Sequence, residues 1–215
     1  MNNLKAIIFD LDGVLAFSDK YHYKAWKYLA DQEGIYFDEV INNRLRGVSR
    51  MESLDIILER SSKEYTLEEK IRMATIKNDL YVEYLDELKP SDIFEDTRKT
   101  LDILLSKGIK LSIGSSSKNT LKILTKTDLL KYFDIIIDGN KISNSKPHPE
   151  VFLKAQEALN LTKDECIVIE DAFSGVDAAN AAGIKVAGIG DAMNYHKADF
   201  KIEKISDILK LIGDE

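Results

Sequence analysis

The chain has 215 residues, which is one large domain or one domain with a modest insertion, and enough to bury a sizeable core. Its hydrophobic fraction of 44% and charged fraction of 31% are those of a globular protein and not of a disordered one. A formal charge of −7 argues against the basic face that nucleic-acid backbones need and against a polybasic membrane anchor, but leaves a small anionic substrate open.

The first residues, MNNLKAIIFD, hold one lysine and a short apolar run, so no signal peptide is expected, and no run elsewhere is long enough to span a bilayer. Residues 6–9 read as a strand. From about residue 18 to 88 no strand is expected; helical spacing runs through 19–33, 49–59 and 67–88 instead. After Lys89-Pro90-Ser91 the pattern alternates. Helix is expected at 97–107, stopping at Gly108, at 149–159 with a proline in its first turn, and at 176–182, stopping at Gly183. Short β-branched runs at 109–113, 135–137, 167–169 and 186–189 read as strands between them. Such alternation predicts a parallel sheet covered on both faces. The fold class is therefore α/β: a Rossmann-like three-layer parallel-sheet core, 1–16 and 89–215, with an inserted α-helical cap domain, 17–88. Ligands bind such sheets at the carboxyl ends of the strands, where the inserted cap would cover them. The single cysteine, Cys166, lies in CIVIE and reads as a small core residue; a disulfide within the chain is excluded. The sequon at Asn160 carries no meaning without secretion, and a cytoplasmic protein is expected.

Four short motifs follow the strand patterns. Asp10 and Asp12, in FDLDGV, are carboxylates suited to a hard cation and to dividing nucleophilic and proton-transfer roles. Taken singly, they read first as a surface turn. GSSSKN at 114–119 offers hydroxyls, amides and Lys118 to a phosphate, or is equally a serine-rich loop with Ser117 or Asn119 as helix N-cap. Lys146, between Ser145 and Pro147-His148-Pro149, suits a fixed ammonium between a phosphate and a carboxylate, with His148 incidental. Glu170-Asp171 ends the fourth piece and, with Asp10 and Asp12, would complete an oxygen-ligand Mg²⁺ site.

In this order the four motifs resemble the haloacid dehalogenase superfamily along essentially the full length. The resemblance implies that Asp10 is a phosphorylated nucleophile and Asp12 a general acid/base that also meets the metal through its backbone carbonyl. It implies that Ser115 and Lys146 bind the transferring phosphoryl group, and that Glu170 and Asp171 help hold one Mg²⁺. The inserted segment, with SDKYHYKAW at 18–26, LRGVSRMESL at 45–54 and TIKND at 75–79, is similar to the β-phosphoglucomutase family, as is GSSSKN. That family interconverts β-glucose 1-phosphate and glucose 6-phosphate through a phospho-aspartyl enzyme and β-glucose 1,6-bisphosphate, so two phosphate sites are implied. Three of the six arginines, Arg44, Arg46 and Arg50, fall within seven residues, and arginine binds phosphate bidentately. By resemblance, Arg50 with Ser117, Lys118 and Asn119 holds the distal phosphate. His22, Arg46, Gly47, Ser53 and Lys77 line the sugar side or hold the closed cap, with Trp26, Val48, Ser49 and Ser116 beside them; His22 and Lys77 also gate the proton chemistry of Asp12. Arg44 reads as a solvated charge, and Trp26 and Tyr21 equally as cap core. Phe17 departs from the family's usual acidic residue at the first hinge, and Arg46 from its common lysine. The alternative on this scaffold is a Mg²⁺-dependent phosphatase of small sugar phosphates. A non-catalytic binding protein would have no need of an attacking carboxylate. A cap that must open implies a monomer.

Overall fold

A computed structural model describes residues 3–212; positions 1–2 and 213–215, the outermost ends of the two expected core segments, lie outside the described residues. In chain order the elements are β1 (Ala6–Phe9), α1 (Asp19–Gln32), α2 (Glu39–Asn43), α3 (Arg50–Leu58), α4 (Leu67–Tyr84), α5 (Thr97–Ser106), β2 (Lys110–Gly114), α6 (Thr120–Lys126), β3 (Ile135–Ile137), α7 (Glu150–Leu159), β4 (Cys166–Glu170), α8 (Phe173–Ala182), β5 (Lys185–Gly188), β6 (Phe200–Lys201) and α9 (Leu209–Ile212). All strands are parallel, in the order β3-β2-β1-β4-β5-β6. The chain winds one way from β1 to β3 and then resumes on the other side of β1. The switch point therefore lies between β1 and β4, where open α/β sheets bind ligands.

Side-chain alternation explains the three layers. Ile7, Phe9, Leu111, Ile113, Ile167 and Ile169 face one cluster, which Leu101 and Leu104 of α5 and Ile123 and Leu124 of α6 complete. Ala6, Ile8, Cys166, Val168 and Val186 face the other, completed by Val151, Phe152 and Ala155 of α7 and Val176, Ala179 and Ala182 of α8. Successive strand residues point to opposite faces, so runs apolar throughout require cover on both. Cys166 sits here as a buried core atom, and burial pushes its thiol up to about 11.

Helices α1 to α4 occupy the long interruption after β1, with no strand among them. They enclose a third cluster, from Trp26, Leu29 and Ala30 through Ile41, Leu54 and Ile57 to Met73 and Ala74. Tyr21, Ala25, Tyr81 and Leu85 instead join the cluster under the sheet, so the base of this helical unit is continuous with the sheet layers. Ser49 and Thr66 start α3 and α4 with capping boxes closed by Glu52 and Glu69. No helix among the described residues is long and apolar enough to cross a membrane.

The sequence patterns miss α2, α9 and β6, and give α6 only by its start, after Ser117 or Asn119; Asn119 holds that position. Helix α2 has five residues with one buried side chain, Ile41, and β6 has two residues, too short for either period to register. The helix expected at 67–88 ends at Tyr84 and tightens into a 3₁₀ turn, Leu85–Glu87. That expected from 176 begins earlier, at Phe173, because Ala172 already has the extended backbone of an N-cap.

Candidate active site

Asp10 leaves β1, and Glu170 ends the adjacent β4 with Asp171 after it. Ligand oxygens of Asp10, Glu170 and Asp171 all lie within 4.8 Å of one another. Lys146 is fully buried beside them, its Nζ donating to Asp10 Oδ1 at 2.6 Å and to Glu170 Oε2 at 3.0 Å. Burial alone would lower this lysine's pKa; the Asp10 and Glu170 carboxylates outweigh that and hold it above its usual value. Burial, and then repulsion from Asp10, pushes Glu170 up. Burial and the neighbouring Glu170 push Asp171 well up. Three buried carboxylates against the Lys146 ammonium and the Arg46 guanidinium, 3.3 Å from Asp171, still leave excess negative charge and hard oxygen donors, a set that fits a divalent cation such as Mg²⁺.

Two features bring Asp171 and the turn after β1 together. Gly13 has φ +81°, and a Cβ there would lie 2.1 Å from Asp171 Oδ2. Only glycine permits both the left-handed turn and that approach. The Asp12 carboxylate stands apart from the metal-type cluster and accepts from the Ser18 hydroxyl at the start of α1. Burial, then Asp10, pushes Asp12 up to about 7, suited to taking and giving a proton at neutral pH.

The loop after β2 is held by its own hydroxyls. Ser115 Oγ accepts from the Ser117 amide at 3.1 Å and Ser117 Oγ from the Asn119 amide at 3.2 Å. Those two amides are thus occupied within the loop, contrary to the expectation that its backbone is free for phosphate. Ser116 Oγ is buried and has no partner among the described residues while lining the cleft. Asn119 occupies the N-cap position of α6 but makes no side-chain cap bond, leaving its amide group for other contacts.

One cleft between the sheet ends and the helical unit brings nearly all the expected residues together. Asp10, Asp12, Ser115 and Asp171 line it, as do His22, Trp26, Arg46, Gly47, Val48, Ser49, Arg50, Ser53, Lys77, Ser116, Ser117, Lys118 and Asn119. Lys146 and Glu170 are buried, at 0% and 1% exposure. Lys77 Nζ is 2.8 Å from His22 Nδ1 and 4.6 Å and 4.8 Å from the ring centres of Trp26 and Tyr81. Burial first lowers both well below their usual values; Lys77 and Arg50 add to this at His22, and Arg50 adds to it at Lys77 against the opposing pull of Asp12. Trp26 both lines the cleft and belongs to the third hydrophobic cluster, joining the two readings of it.

The helical unit is seated on the sheet ends. Arg46 reaches Asp19, Asp171 and Asp191 at 3.2–3.3 Å, and its carbonyl accepts from Ser174 Oγ at 2.9 Å. Arg46 was expected to line the sugar side or to hold the closed cap; its guanidinium meets acids from three separate segments, the contacts of the second of these. Gly47, φ +73°, lies so close to α8 that a Cβ would be 2.3 Å from Ser174 Oγ. Arg44 is outside the cleft, paired with Glu59 by two bonds of 2.8 Å. Phe17 packs on Phe94 with ring centres 4.1 Å apart and the rings tilted by 44°, so an aromatic contact joins the two connections where the family usually has an acid. Asn78 was not foreseen, although TIKND contains it. It lines the cleft and bonds both Arg50 and Asn119. Its one sequence signal is its place beside Lys77.

Comparison with known proteins agrees with this geometry. Residues 7–189 match the family described as haloacid dehalogenase-like hydrolase. The chain is 37% identical to a β-phosphoglucomutase of Bacillus subtilis (strain 168), over 99% of this chain and 95% of that one. It is 35% identical to a phosphorylated carbohydrates phosphatase of Thermotoga maritima, over 91% and 89% of the two chains. Among solved structures, a β-phosphoglucomutase of Clostridium difficile superposes with a TM-score of 0.89 at 42% identity, covering 95% of this chain and 93% of that one.

Proposed function

The chain belongs to the haloacid dehalogenase-like hydrolase family, and from that premise we propose that it interconverts β-glucose 1-phosphate and glucose 6-phosphate, the reaction of a phosphoglucomutase-type isomerase. The observation that carries this reading is a single cleft lined both by Asp10, Asp12 and Ser115 and by Arg50, Ser117, Lys118 and Asn119. A monophosphate hydrolase needs the first group alone. An exchange of phosphate between two sugar oxygens needs both, because β-glucose 1,6-bisphosphate must rebind with its ends reversed.

In this reading an Asp10 carboxylate oxygen attacks phosphorus while the bond from phosphorus to the sugar oxygen breaks. Asp12 gives its proton to that leaving oxygen; in the return step it takes the proton from the sugar hydroxyl that attacks the phospho-aspartate. Lys146 and Ser115 hold the transferring group, and the ammonium reduces the repulsion between two anions. Mg²⁺ held by Asp10, Glu170, Asp171 and the Asp12 carbonyl would supply the remaining neutralisation of the phosphoryl oxygens. His22 and Lys77 support Asp12 from the cap, and Arg46, Gly47, Val48, Ser49, Ser53, Trp26 and Ser116 shape the sugar side. Residues 17–88 act as a cap that opens for exchange and closes over the rest, 1–16 and 89–215, excluding water from the phospho-aspartate. We take the protein to work as a cytoplasmic monomer on a free sugar phosphate.

A second reading, a sugar-phosphate phosphatase, is favoured by the Thermotoga maritima relative. The two separate in one experiment. The protein is incubated with Mg²⁺, β-glucose 1-phosphate and a trace of β-glucose 1,6-bisphosphate, and glucose 6-phosphate and free phosphate are followed. Glucose 6-phosphate in large excess over phosphate is expected. Steady phosphate release without the isomer would overturn the mutase reading.

A further inference from the structure

Asn78 lies on α4, one residue past Lys77, and a single atom of its side chain joins the two halves of the cleft. Arg50 Nη2 donates to Asn78 Oδ1 at 2.7 Å, and Asn119 Nδ2 donates to the same oxygen at 3.2 Å. Arg50 begins α3 in the helical unit, whereas Asn119 belongs to the loop after β2. Two donors on one oxygen fix the amide's orientation, since turning it over would set its NH₂ against both. The acceptor is also neutral. Arg50 forms no ion pair with a carboxylate among the described residues, and Asp79 acts on it only at longer range, so its charge is not cancelled by contact. A carboxylate in the same place would hold it as firmly and cancel that charge.

We infer that Asn78 is a positioning residue that aims Arg50 and Asn119 together at the distal phosphate of a sugar phosphate. The inference rests on the mutase reading above. Because its bonds cross from the cap to the core, the distal phosphate site is complete only when the cap is seated. The neutrality of the amide is what leaves the site attractive to an anion.

The test compares the wild type with N78A, N78D and R50A in the Mg²⁺-supported conversion of β-glucose 1-phosphate, and in hydrolysis of p-nitrophenyl phosphate, which has no second phosphate. N78A is expected to raise KM about tenfold, the scale of a lost hydrogen bond to a charged group, with a much smaller change in kcat. N78D is expected to raise it further, although it is nearly isosteric, because its carboxylate pairs with Arg50 and repels phosphate. Hydrolysis of p-nitrophenyl phosphate should fall far less than the mutase reaction in both variants. An N78D no worse than N78A, equal losses in the two reactions, or an unchanged KM would each overturn the inference. If N78A fails to fold, as judged by circular dichroism, N78D carries the test by itself. R50A separates the two levels: a raised KM in R50A with normal Asn78 variants removes Asn78 alone, whereas an unchanged KM in R50A removes the distal-phosphate reading beneath it.

Discussion

Lys146 occupies the most constrained position among the charged residues of the site. It is fully buried between Asp10 and Glu170, so removing it strands two carboxylates in a low-dielectric environment. Lys146→Ala should therefore cost about 3–5 kcal/mol in urea unfolding without metal, besides abolishing turnover. Arg44→Ala, which breaks an exposed pair, should leave the urea midpoint unmoved. Asp10→Asn keeps the shape but not the nucleophile, and should reduce product formation by about three orders of magnitude or more. Asp12 adds a pH signature. Its folded value near 7 lies above its ordinary 3.8, so between these values the folded chain binds more protons than the unfolded one. The contribution of Asp12 to stability in EDTA should then fall as pH rises from about 4 to about 7; Asp19, Glu170 and Asp171 act in the same direction, Glu170 up to about 8, while His22 and Lys77, held below their usual values, act against it. Asp12→Asn should remove its share of that slope, read from thermal midpoints across the range. Asp10, Asp12, Glu170 and Asp171 are legible in the sequence because they stand at the end of a β-branched run, where a carboxyl-end position can be counted, and Lys146 because it stands in a loop stiffened by Pro147 and Pro149. Asn78 is not, because a polar residue on an amphipathic helix looks solvated until Arg50, 28 positions away, and Asn119, 41 away, fold onto it. The acids that Arg46 meets are hidden for the same reason: they stand up to 145 positions distant.

Elements inherit their legibility from length and period. β1, β2, β4 and β5 are apolar nearly throughout and bounded by charge or glycine, so their runs mark them within a residue or so. β6 pairs through two residues only, and its place is set by β5 and not by its own composition. α2 and α6 are held by tertiary contact at lengths where isolated helix does not persist. The most informative junction is between α3 and α8. Gly47 precedes the Ser49 capping box and touches Ser174, so the entry to α3 and the seating of the cap share one loop. Gly47→Ala forces a side chain both into a left-handed backbone and against the Ser174 hydroxyl. It should cost about 1–2 kcal/mol in stability, and should lower kcat/KM for the sugar phosphate more than for a small monophosphate. Equal effects on the two substrates would mean that the loop serves folding alone.

At the scale of the whole molecule, the charge of −7 conceals a separation. Acids converge at the switch point between β1 and β4, while arginine 50 and lysines 77 and 118 face the same cleft from other sides. A cation that binds the acid cluster only in the folded state stabilises by mass action. Saturating Mg²⁺ at about a hundred times its dissociation constant should add ~2.7 kcal/mol, or about 5–10 °C for a chain of this size. Asp171→Asn should lose most of that increment, which differential scanning calorimetry would read without any substrate. The chain also has a single tryptophan, and the fold puts it in a telling place. Trp26 is 2% exposed at the cleft wall, its ring centre 4.6 Å from the Lys77 side-chain nitrogen. Indole emission responds to charge and polarity beside the ring, because excitation changes the ring's dipole. The molecule thus contains a built-in optical probe of its cleft: its one tryptophan, set in the wall beside Lys77, should report the entry of a sugar phosphate in real time and without any added label.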